Sequence, residues 1–300
     1  MHPAAQAPLR LGTRGSPLAL WQARHVAALL GGAVEIVPMT TTGDRIQDRT
    51  LAAAGGKGLF TKELDEALLG GQVDLTVHSL KDVPTALPDG IVLAATPERD
   101  DPRDTLIGVP GLAALAPGAV VGTASLRRQS IVLHRRPDVN VVPLRGNVGT
   151  RLAKLREGQV QATLLALAGL RRLGLAHEAT AILDPDEMLP AVAQGAIGVT
   201  CRTGDASLRQ RLDGINHQPT MICTMAERAL LAALDGSCRT PIAAHATLAG
   251  STLHLRALIV TPDGRRAEAT ERRGPAGDGV ALGRDAGAEL KARGGADFFA

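Results

Sequence analysis

The sequence predicts an α/β protein: two doubly wound lobes followed by a small C-terminal α+β domain with an antiparallel sheet. Three observations carry this. Short apolar runs alternate with helical patterns in the order β-α-β-α-β, that order begins again near residue 119, and after Gln218 the texture changes to one helix and closely spaced alternating strands. At 300 residues the chain is also too long for one ordinary core.

The elements follow in order. Residues 9–11 read as a strand, and Ser16-Pro17 opens a helix, with serine at the N-cap and proline in the first turn. Leu18, Trp21, His25 and Leu29 predict its buried face. Residues 34–40 form the next strand, 61–70 a helix stopped at Gly70-Gly71, and 73–77 and 91–95 two further strands. In the second lobe, 119–121 predict a strand, 125–135 a helix, 139–144 a strand, 150–157 a helix and 162–167 a strand. The polar segment PERDDPRD, 97–104, is a crossover between the lobes. A second crossover falls near 190–195, and 197–201 return as a strand to the first sheet. Beyond them come a helix at 221–234, a meander at 243–248, 252–260 and 265–272 with turns at Ala249-Gly250 and Asp263-Gly264, and a closing helix at 280–292. The expected division is 1–98 with 196–216, then 99–195, then 217–300.

Composition excludes several classes. The chain is 45% hydrophobic but has no Tyr, one Trp and three Phe, so its cores rest on Leu, Val, Ile and Ala. A net charge of +3 and the near absence of stacking aromatics argue against nucleic-acid binding. The three cysteines (Cys201, Cys223 and Cys238) have no metal-ligand spacing, and their wide separation fits a reducing compartment. No run is long enough to span a membrane, and the opening MHPAAQAPLRLG holds no apolar h-region, so a cytoplasmic protein is expected.

Chemistry gathers at a few places. Gly12-Thr13-Arg14-Gly15-Ser16 and Gly122-Thr123-Ala124-Ser125 each put Gly-Thr and a serine N-cap between a strand and a helix. Free N–H groups and the positive end of the helix dipole suit an anion there, although capping alone explains either turn taken singly. Arg127, Arg128, Arg145, Arg151 and Arg172 cluster at strand ends and helix starts. Arg127 and Arg128 sit in a first turn, where positive charge opposes the dipole unless an anion is present. Guanidinium forks match carboxylates, so a polycarboxylate or phosphate ligand is the better reading of all five together. GGKGLF, with Lys57, lacks the spacing of a nucleotide phosphate loop, though a lysine contact to a carboxylate stays open. VHSLKDVP ends an apolar strand in His78, Ser79, Lys81 and Asp82, beyond which ligands bind in open α/β sheets. His78 is read as a packed strand-end histidine, and Asp82 as able to stabilise a cation. DGSCRTP places Cys238 in a tight turn, a candidate nucleophile, whereas Cys201 and Cys223 read as core thiols.

Together these segments resemble the porphobilinogen deaminase family along nearly the whole chain. The matching stretches are TRGSPLALWQ (13–22), GGKGLF (55–60), VHSLKDVP (77–84), ERDDPRD (98–104), GTASLRRQ (122–129) and LRGNVGTRLAKL (144–155). To these are added LALAGLRRLGL (165–175), LPAVAQGAIGVTCR (189–202) and ERALLAALDGSCRTPIA (227–243). The resemblance implies three domains, the first two similar to the lobes of a periplasmic-type binding protein around a hinged cleft. It implies a dipyrromethane cofactor, made from two porphobilinogen units and held by a thioether that falls on Cys238 in the third domain. Cofactor and chain carboxylates would meet Lys81, Ser125, Arg127, Arg128 and Arg151, with Asp44, Thr123 and Gly146 beside them. Incoming substrate would meet Arg14, Ser16, Ser79, Lys57, Arg145 and Arg172, and Asp82 matches the family's catalytic aspartate.

The implied reaction condenses four porphobilinogen molecules head to tail, with loss of ammonia, into hydroxymethylbilane for haem and other tetrapyrroles. No metal is implied, the family suggests a monomer, and the product would pass to uroporphyrinogen-III synthase. Two departures stand out: Ala53 occupies a position where the family often has lysine, and the chain from Ser251 onward matches only in pattern. A two-lobed binding protein for an anionic ligand, without chemistry, is the alternative, and ammonia release from porphobilinogen separates the two.

Overall fold

The computed structural model describes residues 7–45, 58–236 and 240–299. Strand β1 (Leu9–Arg14) feeds helix α1 (Pro17–Leu30) through Ser16, whose hydroxyl accepts from Ala19 N at 3.3 Å, with Pro17 in the first turn, where an N–H has no helical partner. Strand β2 (Val34–Met39), the single turn α2 (Thr42–Arg45), helix α3 (Lys62–Leu69) and strands β3 (Leu75–Ser79) and β4 (Ile91–Ala95) follow. Next come β5 (Asp104–Ile107), β6 (Val120–Gly122), α4 (Leu126–Arg135), β7 (Asn140–Val142), α5 (Val148–Arg156), β8 (Ala162–Ala166), α6 (Leu167–Arg172) and β9 (Ala181–Ile182). The chain returns as β10 (Ile197–Arg202) and α7 (Ala206–Asp213), then closes with α8 (Gln218–Ala233), β11 (Ile242–Ala249), β12 (Thr252–Val260), β13 (Ala267–Pro275) and α9 (Gly279–Gly294).

The first two sheets share one plan. Their orders are β2-β1-β3-β10-β4 and β7-β6-β8-β5-β9. In each, a central strand (β1 or β6) pairs parallel with both neighbours, and one antiparallel strand arrives from the other lobe. After β4 the chain crosses and inserts β5 against β8, and after β9 it crosses back and inserts β10 between β3 and β4. Two crossovers therefore join the lobes. The turns after β1 and β6, which carry the Gly-Thr…Ser repeat, face each other across the resulting cleft.

The third sheet, β11-β12-β13, is fully antiparallel and is covered by α8 and α9. Those helices approach closely because Gly283 has no side chain: a Cβ there would lie 2.1 Å from Ala226 O. This domain packs on both lobes. Ala243 and Val260 join Leu106, Val121 and Leu164 in one apolar cluster, while Leu80 and Val83 join Leu230, Leu255 and Ile259 in another. Each fully buried leucine contributes roughly 1.5–3 kcal/mol of transfer free energy.

Several expectations need correction. The buried face of α1 is Ala19, Gln22, Ala23 and Val26, small enough to let the helix lie close on β1 and β3. Of the larger residues predicted to be buried, Leu18 and Trp21 are half-buried and reach toward α6 of the second lobe, Trp21 also packing on the first core; His25 is half-buried and stacked on Trp21, and Leu29 is 46% exposed. The crossover after β4 ends earlier than its polarity suggests, because Asp104 begins β5, where it is buried by pairing rather than excluded as a charge. Helices α6 and α7 were not foreseen, both being short. Strand β13 runs over Ala267–Pro275, slightly later than expected.

Candidate active site

A cavity of about 910 Å³ opens between the lobes. From the first lobe it receives Arg14 at the end of β1, Ser16 of the turn after it, Asp44 of α2, Ser79 at the end of β3, and Lys81 and Asp82 just beyond it. From the second lobe it receives Ser125, Arg127 and Arg128 at the start of α4, and Arg145, Gly146 and Arg151 around the start of α5. The C-terminal domain adds Leu231, Thr240 and Ile242. Cys238 and Lys57 lie outside the described residues.

Two of the proposed residues stand behind the wall. Thr123 is buried, and its hydroxyl accepts from Ser125 N at 3.2 Å. Arg172 is buried at the lobe boundary, where its Nη2 donates to Gly195 O at 2.5 Å. Ser79 bonds to Gln22, whose Nε2 donates to it at 2.9 Å.

The arginine pair already has one anion, and it belongs to the chain. Asp104 accepts from Arg127 Nη2 at 2.7 Å and from Arg128 Nη2 and Nε at 2.7 and 3.1 Å. Arg127 also donates to Leu189 O, and Arg128 to Leu164 O. Burial would raise the Asp104 carboxyl, but the charges of Arg127 and Arg128, with a hydrogen bond from Gln194, outweigh it and hold the pKa at about 2. Gln194 then bridges outward: its Nε2 donates to Asp104 Oδ1 at 2.9 Å, and its Oε1 accepts from Lys81 Nζ at 3.2 Å. Burial, then the nearby Arg128, lowers Lys81 to about 8. The same two causes lower Arg151 to about 10. Cations depressed by burial and by one another favour the arrival of an anion.

Sequence reasoning missed Asp104, Gln194, Arg99 and Glu227. The ERDDPRD motif was visible, but nothing in it shows that its last aspartate is the partner of arginines more than twenty positions later. Arg14 is likewise paired, with Asp44, and lies 4.3 Å from the centre of the Phe60 ring. Burial would raise Asp44, but Arg14 and Thr41 outweigh it. His78 is buried as expected, its Nε2 2.8 Å from Thr76 Oγ1.

Donors are left over. Arg127 Nε, Arg145 Nη1 and Arg172 Nε are buried without a hydrogen-bond partner among the described residues. Each such group costs about 1–3 kcal/mol until it is satisfied. Carboxylates of a ligand would satisfy Arg127 and Arg145, which line the cavity. Asp82 differs from its neighbours. It sits in a single 3-10 turn, Leu80–Asp82, half-buried, and its carboxylate accepts no hydrogen bond from another described residue. It is therefore not a cap for the turn that follows. A carboxylate free of protein hydrogen bonds, in a cavity of cations, suits a ligand that carries positive charge as well as acidic groups.

Fold and cavity together define a two-lobed α/β protein whose cleft is lined with cations for an anionic ligand. A family profile described as "Porphobilinogen deaminase, dipyromethane cofactor binding domain" matches residues 9–210, and one described as "Porphobilinogen deaminase, C-terminal domain" matches 221–292. A protein of Oryza sativa subsp. japonica named "Porphobilinogen deaminase, chloroplastic" is 52% identical over 97% of this chain and 85% of its own length. A "Porphobilinogen deaminase" of Paracoccus denitrificans is 50% identical over 99% and 98% of the two chains. Among solved structures, a periplasmic substrate-binding protein of an ABC transporter from Coxiella burnetii is 16% identical over 71% of this chain and 94% of that one, with a TM-score of 0.42.

The chain belongs to the porphobilinogen deaminase family. It is accordingly a transferase of porphyrin biosynthesis that acts on porphobilinogen with a dipyrromethane cofactor, which sets aside a binding protein without chemistry. Among the described residues no helix is long and apolar enough to cross a membrane.

Proposed function

We propose that this chain condenses four porphobilinogen molecules head to tail, with loss of ammonia, into hydroxymethylbilane, using a dipyrromethane held by a thioether to Cys238. The observation that supports this most is Asp82: its carboxylate accepts no hydrogen bond from the described residues, yet it shares one cavity with Lys81, Arg127, Arg128, Arg145 and Arg151. When bound there, the dipyrromethane would supply the free α-carbon to which the first unit is joined, and each later unit would join the terminal pyrrole of the chain. Lys81, Ser125, Arg127, Arg128 and Arg151, supported by Asp44, Thr123 and Gly146, hold the carboxylates of the bound chain. Arg14, Ser16, Ser79, Lys57 and Arg145 receive the incoming substrate, with Arg172 acting from behind the wall. Departure of ammonia and formation of the carbon–carbon bond each build positive charge on a pyrrole nitrogen, and Asp82 stabilises that charge.

In this reading residues 1–98 with 196–216 form the catalytic lobe, 99–195 the lobe that binds cofactor and chain, and 217–300 the domain that carries the attachment. The protein acts as a cytoplasmic monomer whose product passes to uroporphyrinogen-III synthase. The test is to incubate the purified protein with porphobilinogen, following ammonia and product together. One hydroxymethylbilane per four ammonia is expected. Ammonia release without a tetrapyrrole, or a different ratio, refutes the reading.

A further inference from the structure

We propose that Trp21 is a positioning residue for Arg172, holding that guanidinium in place from across the lobe boundary. The inference rests on the reading of Arg172 as a residue of the substrate side. Arg172 ends α6 in the second lobe and is 8% exposed; it contacts both crossovers and, in the first lobe, Trp21. Its Nη2 donates to Gly195 O at 2.5 Å, its Nε lies 3.6 Å from Asp100 Oδ2, and its Cζ lies 5.6 Å from the centre of the Trp21 ring. Gly195 and Asp100 belong to the two crossovers, and Trp21 to α1 of the first lobe.

Each contact has a local cause. Gly195 has φ +87°, and a Cβ there would lie 2.4 Å from Asp100 O, so glycine is what lets the crossovers meet beneath the guanidinium. Trp21 is itself fixed by His25, one turn later on α1, with ring centres 5.1 Å apart and planes 13° from parallel. An indole face attracts a guanidinium within about 6 Å, and more strongly where water is excluded. Gly195 O is the only hydrogen-bond acceptor of the Arg172 side chain among the described residues, and Nε is left without one. One hydrogen bond leaves a long side chain free to turn, and the aromatic face restricts that freedom. A movement of one lobe on the other changes the Trp21–Arg172 contact, so Arg172 is presented correctly only when the lobes stand in register.

The test is a double-mutant cycle on the cofactor-loaded enzyme, with loading checked by intact mass. Trp21→Leu keeps an apolar side chain but removes the π face, and should lower kcat/KM about tenfold. Trp21→Phe should retain most of the activity. In an Arg172→Leu background, Trp21→Leu should add nothing further. Additive losses, or a Phe variant as impaired as the Leu variant, overturn the proposal. Trp21 is the chain's one tryptophan, so its emission reports the contact separately from turnover. Arg172→Leu should change that emission and its quenching by acrylamide, and unchanged spectra overturn the contact itself. A changed emission with normal turnover in Arg172→Leu instead refutes the substrate-side reading of Arg172, and with it the positioning role.

Discussion

Arg99 and Glu227 meet at 2.7 Å, with the Glu227 side chain wholly buried and Arg99 nearly so. The pair fastens the C-terminal domain to both crossovers. Arg99 lies in the first, and its Nε also donates to Gln194 O of the second at 2.8 Å. Glu227, on α8, accepts from Ala193 N at 2.6 Å and from Ala246 N of β11 at 2.8 Å. Removing one partner of a buried, hydrogen-bonded pair costs about 3–5 kcal/mol. Glu227→Gln should therefore lower the unfolding midpoint in heat and in urea, and Arg99→Leu should do the same. Midpoints equal to wild type in both variants would contradict this.

Asp82→Asn keeps the shape of the side chain and removes its charge. Two unit charges about 4 Å apart at an effective dielectric near 20 attract by about 4 kcal/mol. If most of that appears only in the transition state, turnover falls on the order of a thousandfold. The variant should fold and load substrate, and Asp82→Glu should retain more activity than Asp82→Asn. Equal kcat in wild type and the Asn variant, at saturating porphobilinogen and with the cofactor confirmed by mass, would show that the charge does not act.

Arg127→Leu and Arg128→Leu should each impair cofactor assembly, and each should also destabilise the fold, because Asp104 stays buried with one of its two arginine partners lost. Arg172→Leu should keep the cofactor and stall elongation, so that enzyme-bound intermediates accumulate. Intact mass spectra distinguish the two outcomes. Normal cofactor and normal turnover in all three variants would refute the assignment of the cluster.

Purified protein should weigh more than its sequence by one dipyrromethane, and Cys238→Ser should lose that excess. The Ser variant should also melt at lower temperature, because a group bound only by the folded state stabilises it. A wild-type protein that is unmodified and fully active would end the assignment.

Stability should fall in mild acid partly through His78. Burial, with the Arg14 charge, lowers its pKa from 6.5 to about 4. Between those values the unfolded chain binds a proton that the folded chain does not. The contribution is therefore complete above about pH 6.5 and is lost as pH falls toward about 4. The loss amounts to at most about 3 kcal/mol. His78→Asn should flatten this part of the curve of urea midpoint against pH. A slope equal to that of wild type would show that His78 does not contribute.

Elements with local causes were legible in the amino-acid order. Ser16-Pro17 and Ser125 cap their helices through bonds spanning three residues, and Ile91–Ala95 and Thr252–Val260 are strands where apolar runs or alternation placed them. The return of residues 197–201 to the first sheet was legible, and so was the gathering of arginines at strand ends. Which charges meet depends on the assembled lobes. Asp104 reaches Arg127 and Arg128, Gln194 joins them to Lys81, and Glu227 reaches Arg99, each across separations that no helical or strand period encodes. That assembly also decides that α1 turns its small residues to the sheet and Trp21 to Arg172. Burial and pairing of charge depend on what the opposite surface offers, and that surface exists only once the two crossovers have brought the lobes together.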